Sequence, residues 1–174
     1  MVLLPLVGDV QRDPADAGRR ELGSRRRRRG WRRMPRRRAR ADAILVGGAT
    51  WRGDKPALDV RLAGLADRSP DRWMLTRGQC ADGVGSIAAP GDITRMDGVQ
   101  YLYVEGGAQT AASFLAADLV DRLEIYRAPI VIGDGLRAVA GIGLEDLADA
   151  HERWVPAEQA QLGSDAFTAY RRAR

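Results

Sequence analysis

Val99-Gln100-Tyr101-Leu102-Tyr103-Val104-Glu105-Gly106-Gly107-Ala108-Gln109-Thr110-Ala111-Ala112-Ser113-Phe114-Leu115 is the stretch on which the fold of this chain turns. Its first six residues have the aromatic and β-branched composition of a strand, and Glu105-Gly106-Gly107 is a turn. Over residues 109–118 the pattern is helical, with Ala111, Phe114, Leu115 and Leu119 on one face. Strand, glycine turn and helix together are the repeating unit of an α/β domain. A glycine pair at that junction lets backbone N–H groups approach an anion with no Cβ in the way, and it presents the anion to the positive end of the helix dipole. Thr110 and Ser113 add hydroxyls at the same end. The same residues also read as a plain strand-to-helix turn. The spacing is not the G-x-G-x-x-G of a Rossmann site, and Gly83-Val84-Gly85 follows no clear strand.

Upstream, Asp42-Ala43-Ile44-Leu45-Val46-Gly47-Gly48 is a short apolar run closed by two glycines, which predicts a buried strand entering a tight turn. From there the chain passes through Ala49-Thr50-Trp51-Arg52-Gly53-Asp54 to Lys55-Pro56, where an acid before X-Pro is commonly a turn former. Residues 58–62 alternate as a half-buried strand does, residues 72–76 are a third strand, and residues 77–98 read as a loop-rich connection. Downstream, residues 120–128 are a strand, and Pro129-Ile130-Val131-Ile132 runs into Gly133-Asp134-Gly135. A short helix is expected within 142–150, then strands over 151–155 and 166–170 separated by Gln161-Leu162-Gly163-Ser164. Two late strands with a short link predict an antiparallel edge on a mostly parallel sheet.

The chain has 174 residues, enough for one ordinary domain. Of its 28 basic residues all but Lys55 are Arg, and they are unevenly placed. Residues 1–40 hold 14 Arg against four acids, whereas the remainder carries 14 basic groups against 19 acids. Between Arg19 and Arg40 there are 13 Arg and almost nothing to bury, so the segment repels itself and forms no core. Residues 1–40 therefore read as a leader outside the fold, disordered or translated from a misassigned start, ahead of a domain over 41–174. A functional reading of the same run is an arginine-rich arm for nucleic acid, although the mildly acidic remainder does not look like a nucleic-acid binder.

Cys80 and His151 are each alone, which leaves no intramolecular disulfide and argues against a Cys/His metal site. His151 reads as a strand residue with a solvated imidazole, and Cys80 as a loop thiol. No apolar run approaches the roughly 18 to 20 residues that span a bilayer. The opening Met1 to Val7 lacks a basic start and is a poor signal peptide, so a cytoplasmic protein is expected.

Taken in order, Asp42-Ala43-Ile44-Leu45-Val46-Gly47-Gly48-Ala49-Thr50, then Asp54, Pro56, Leu58 and Arg61, then Val104-Glu105-Gly106-Gly107, then Ala128-Pro129-Ile130-Val131-Ile132-Gly133 resemble the C-terminal reductase domain of the bifunctional riboflavin-biosynthesis deaminase/reductase. The resemblance covers about residues 41–172 and implies a dihydrofolate-reductase-like α/β fold, three layers in αβα order. It implies an NADPH-dependent reduction of 5-amino-6-(5-phosphoribosylamino)uracil, in which hydride reaches C1 of the ribosyl group and opens it to a ribityl chain. By the same resemblance Thr50, Asp54 and the stretch Gly106, Gly107, Ala108, Gln109, Thr110 and Ser113 contact the cofactor, with Arg77 placed to meet its extra phosphate. Leu58 and Arg61 lie against the substrate, Arg61 near its phosphate, and Glu105 faces the sugar. Asp54 and Glu105 are the nominated catalytic carboxylates for the proton. The resemblance also implies a homodimer. It leaves one element missing: such reductases carry a first strand and glycine turn upstream, where this chain has its arginine-rich leader, and ahead of these a zinc deaminase domain. Such a truncation would impair the reductase, and a non-catalytic reductase-like module that only dimerises is the remaining alternative.

Overall fold

Chemistry that depends on backbone placement is decided by the order of strands. In the computed structural model, which describes residues 1–8, 33–131, 135 and 137–173, the elements in chain order are β1 (Val2–Gly8), α1 (Arg33–Arg38), β2 (Ala43–Gly47), α2 (Gly48–Asp54), β3 (Asp71–Leu75), β4 (Gly85–Ile87), β5 (Leu102–Val104), α3 (Ala108–Ala116), β6 (Arg122–Arg127), β7 (Trp154–Leu162) and β8 (Asp165–Arg172). Short 3-10 turns cover Ala66–Arg68, Pro90–Arg95 and Leu147–Ala150. One sheet runs β4-β3-β2-β5-β1-β6-β8-β7. The ladders from β4 to β6 are parallel and the two ladders made by β8 are antiparallel. This is the predicted sheet with its antiparallel C-terminal edge.

Alternate residues of the central strands feed two cores, as a pleated sheet covered on both faces requires. Val2, Leu4, Leu6, Leu45, Leu102, Val104 and Leu123 pack on one face with Ala111 and Phe114 of α3. Leu3, Ile44, Val46 and Tyr103 pack on the other with Leu58 and the half-buried Trp51 of α2. Helical elements on opposite faces give the three layers.

The domain does not begin at Ala41 and does not lack a first strand. Val2–Gly8 lies in the middle of the sheet between β5 and β6, with Val2 opposite Leu102 and Leu4 opposite Leu123. Pro5 looks disqualifying in a central strand, because it has no N–H for a ladder. The structure shows why it is tolerated. The Leu102 N–H donates to Met1 O on the β5 side, and the Asp121 N–H donates to Val2 O on the β6 side. Pro5 is in phase with Met1 and Leu3, so its missing donor faces β5, and that ladder ends at Leu3 opposite Tyr103. At the other end of the segment read as a leader, α1 belongs to the fold through Arg37 and Arg38. The run Arg25 to Arg29 lies outside the described residues.

Further expectations change. Residues 58–62 are not a strand: Leu58 and Val60 are buried in alternation, but Leu58 has φ 55° and the segment joins no ladder. Gly48–Asp54, read as a turn, is a helix of nearly two turns ending at left-handed Lys55. The presumed loop 77–98 contains β4, too short to be visible as a pattern. Pro129, Ile130 and Val131 lie in no strand, and Val131 is 99% exposed; Ile132, Gly133 and Asp134 lie outside the described residues. His151 is exposed, as expected, but precedes β7 rather than lying in it.

Candidate active site

The chain leaves β2 through α2 towards β3 on one side, and leaves β5 through α3 towards β6 on the other. Because β2 and β5 are neighbours, their connections diverge and open a crevice beyond the C-terminal ends of the strands, the place where α/β sheets bind ligands. A cleft of about 770 Å³ lies there. It is lined after β2 by Gly47, Gly48, Ala49, Thr50 and Arg52, and after β3 by Leu75, Thr76 and Arg77. Ala88, Ala89 and Pro90 line it after β4, and Gly107, Ala108, Gln109, Thr110 and Ser113 after β5.

Two glycines set the close approach of the walls. A Cβ on Gly47 would stand 2.3 Å from Thr110 Oγ1, and one on Gly106 would stand 2.4 Å from Thr110 Cβ, distances no packed atoms tolerate. Their absence lets the first turn of α3 seat Thr110 against both strand ends. Gly107 faces open space instead, where the nearest side-chain atom to a Cβ would be Thr50 Oγ1 at 3.9 Å. Gly107 caps α3 with no side-chain hydrogen bond, so the helix presents its first amides to the cleft without an intramolecular side-chain acceptor. Arg52 and Arg77 are exposed at the rim. The Arg52 guanidinium folds back over Gly48, whose Cβ would lie 3.1 Å from Nη1 and 3.2 Å from Thr76 Oγ1.

Of the residues singled out for the cofactor, Thr50, Arg77, Gly107, Ala108, Gln109, Thr110 and Ser113 meet in this one cleft. Gly106 supports it from behind through Thr110. Asp54 is exposed at the end of α2 and is not among the lining residues. The sequence reading missed Arg52, Thr76 and the Ala88-Ala89-Pro90 segment. The first two face the cleft only because α2 is a helix beside the end of β3, and β4 is too short for its exit to be recognised.

The residues expected around the substrate are arranged differently. Leu58 is 3% exposed and belongs to the core. Arg61 is largely exposed and pairs with Asp59 at 3.0 Å. Glu105, just beyond β5, is held by both arms of the Arg38 guanidinium, Nε to Oε1 at 2.8 Å and Nη2 to Oε2 at 2.6 Å. Arg38 Nη1 also donates to Asp59 O at 3.1 Å. Burial works against the Arg38 charge, but its hydrogen bond and attraction to Glu105 outweigh that and hold its pKa above the ordinary arginine value. On the same face Glu124 is fully buried, paired with Arg37 at 2.8 Å and Arg122 at 2.9 Å and accepting from Tyr126 Oη at 3.2 Å. Tyr103 Oη is buried with no hydrogen-bond partner among the described residues. Burial first, then the negative surroundings of Glu105 and Glu124, pushes the Tyr103 phenol well above its usual pKa. Arg37 and Arg38 are thus committed to carboxylates of the domain, which removes two cations from any nucleic-acid arm. Among the described residues no cluster of His, Cys, Asp and Glu is suited to a metal, and no helix is long and apolar enough to cross a membrane.

Comparison with known proteins agrees with this architecture. Residues 92–166 match the family described as the RibD C-terminal domain. The riboflavin biosynthesis protein RibD of Mycobacterium tuberculosis is 33% identical over 146 residues, covering 76% of this chain and 43% of that protein. RibD of Corynebacterium ammoniagenes is 33% identical over 118 residues, covering 57% of this chain and 34% of its own length. The chain thus spans less than half the length of these relatives. Acinetobacter baumannii RibD has a similar fold, with a TM-score of 0.76 at 18% identity over 99% of this chain and 58% of the other. So has a Corynebacterium diphtheriae pyrimidine reductase-like protein, with a TM-score of 0.66 at 14% identity over 99% and 92% of the two chains. In matched residues, in identity and in a dihydrofolate-reductase-like sheet with an antiparallel edge, the chain is similar to the RibD C-terminal domain.

Proposed function

We propose that the chain is a pyrimidine reductase that uses NADPH to convert 5-amino-6-(5-phosphoribosylamino)uracil to the ribitylamino product in riboflavin biosynthesis. The observation that carries this reading is the crevice between β2 and β5, where Gly107 and Thr50 face each other below two exposed arginines. Its size suits a dinucleotide, since ligand sites commonly enclose about 300–1,000 Å³. The donor set suits one as well: helix amides and a hydroxyl for a pyrophosphate, and Arg52 and Arg77 for the further phosphate that distinguishes NADPH from NADH. NADPH held there supplies hydride; the protein's own task is alignment of the two reactants and exclusion of water.

On the substrate side, Glu105 is an acceptor facing the sugar rather than a source of protons, because both its oxygens already receive hydrogen bonds from Arg38. Arg61, largely exposed in the loop next to Arg38, is the cation for the substrate phosphate. Asp54 stays outside the cleft lining, so the proton for the opened ring comes from solvent in this account. A homodimer and a cytoplasmic location accompany the reading and rest on the family resemblance. Purified chain mixed with NADPH and the pyrimidine substrate should consume NADPH and yield the ribitylamino product by mass spectrometry. No turnover at high enzyme concentration overturns the proposal.

A further inference from the structure

A second cavity, of about 460 Å³, is lined by Trp51, Arg52, Lys55, Pro56, Ala57 and Arg72. It opens between the C-terminal half of α2, the residues that follow it and the start of β3. Arg52 borders both this cavity and the dinucleotide cleft. Half of the lining is cationic, and no acid is part of it. Exposed arginines elsewhere in the chain find carboxylates, as Arg61, Arg95 and Arg153 do. Arg52, Lys55 and Arg72 pair with none among the described residues. Like charges around one concavity repel one another, and a bound anion removes that repulsion.

The backbone adds a second observation. Lys55 ends α2 in the left-handed region, with φ 42° and ψ 54°, directly before Pro56. That region favours glycine or asparagine, and a following proline turns a residue further away from helical conformations. A cation at a helix C-terminus answers the helix dipole, which accounts for the charge of Lys55 but for neither its backbone nor Arg72. A strained residue in a cavity wall points to a ligand there. Trp51 adds a third feature. Its indole packs partly on the core with Leu58 and partly lines the cavity, so a fixed aromatic surface stands beside the cations.

We propose that this cavity binds an organic phosphate carrying a planar ring, of the mononucleotide class, and that its occupant opposes NADPH through Arg52. The guanidinium forks of Arg52 and Arg72 suit phosphate oxygens, the Lys55 ammonium adds a point charge, and the Trp51 indole takes the ring by stacking. An inorganic anion would leave Trp51 without a role, and an apolar ligand would leave the cations without one. The volume suits a single nucleotide, towards the lower end of the about 300–1,000 Å³ common for ligand sites. Arg52 cannot hold a phosphate here and the additional phosphate of NADPH in the cleft at once, so each ligand weakens the other by the same factor. The opposition rests on the reductase reading above, whereas the site does not.

Calorimetric titration of the full chain with guanosine 5′-monophosphate tests this, with ribose 5-phosphate as the ringless comparison. The nucleotide should bind about tenfold or more tighter than ribose 5-phosphate, the scale of stacking on an aromatic side chain. Arg72→Gln and Lys55→Gln, both exposed and outside the dinucleotide cleft, should keep the native unfolding temperature and the native affinity for NADPH. Each should weaken the nucleotide about tenfold or more, as loss of a charge-assisted hydrogen bond does. Nucleotide that fills the native site should weaken NADPH about fivefold or more, and clearly less in Arg72→Gln at the same concentration. No nucleotide binding overturns the site, and so does binding that is unchanged in both variants, which would place the nucleotide in the dinucleotide cleft or the substrate pocket. Equal affinity for ribose 5-phosphate overturns the assignment of the ring to Trp51, and independent binding of nucleotide and NADPH overturns the opposition. A chain that takes the nucleotide here but never NADPH overturns the reductase reading and the opposition with it, and leaves the site standing.

Discussion

Thr110 Oγ1 lies 2.3 Å from the position that a Cβ on Gly47 would occupy. This contact joins the end of β2 to the first turn of α3, so it sets the width of the crevice in which the dinucleotide is proposed to sit. The second glycine against the same side chain, Gly106, is blocked differently: there it is Thr110 Cβ itself, at 2.4 Å, that a substituent would meet.

The difference makes the contact testable. Gly47→Ala and Gly106→Ala should each destabilise the protein by about 1–3 kcal/mol, the range for overpacking. Adding Thr110→Ala removes Oγ1 and leaves Cβ 3.7 Å from the new methyl at position 47, so it should restore most of the loss in Gly47→Ala. It should restore little in Gly106→Ala, because the offending Cβ remains. Denaturant midpoints of the four variants decide it, and equal rescue at both positions would contradict the geometry.

At the rim, Arg77→Gln and Arg52→Gln should each raise the KM for NADPH about tenfold or more and leave that for NADH nearly unchanged, since only the former carries the additional phosphate. The ratio of the two cofactors' kcat/KM reports this directly. If one arginine alone moves the ratio, that residue holds the phosphate and the other only borders the cleft.

Tyr103 brings a hydroxyl into the core with no described partner. Tyr103→Phe should therefore be neutral or stabilising by about 1 kcal/mol near neutral pH. The pKa of the folded phenol lies well above 10.0, chiefly through burial. From about pH 10 upward the unfolded chain thus releases a proton that the folded chain retains, and stability falls as pH rises. The phenylalanine variant should lose that part of the alkaline decline. Urea midpoints near pH 7 and above pH 10 measure both effects, and a clear loss at neutral pH would mean the hydroxyl has a partner after all.

Arg37 closes the buried carboxylate of Glu124 from α1. Arg37→Met should cost about 2 kcal/mol of unfolding free energy, less than the roughly 3–5 kcal/mol for stripping a buried charge of its partner, because Arg122 still contacts Glu124. An unchanged denaturation midpoint would return α1 to the status of a leader.

What was legible in the sequence and what was not divides along physical lines. Runs whose burial is complete or alternating within a few residues declared themselves: β2, β3, the β5-glycine-α3 junction, β6 and the late hairpin. The junction also located most of the cleft, because glycines between a strand and a helix point to one place in such sheets. Val2–Gly8 was missed since Pro5 interrupts it and both of its partner strands lie about a hundred residues away. The arginines of α1 looked self-repelling because Glu105, Glu124 and Glu158, which they meet, also lie far away in sequence. Residues 58–62 show the opposite failure, in which an alternation of burial came from a loop lying on the core and was read as a ladder.

The most direct test of the account is a crystal structure of the chain with NADPH. The account predicts the pyrophosphate over Gly107 at the start of α3, the Thr50 hydroxyl opposite it, and the 2′-phosphate at the rim beside Arg52 or Arg77. A dinucleotide bound elsewhere, or a crevice between β2 and β5 filled by side chains with no room for it, would contradict the account.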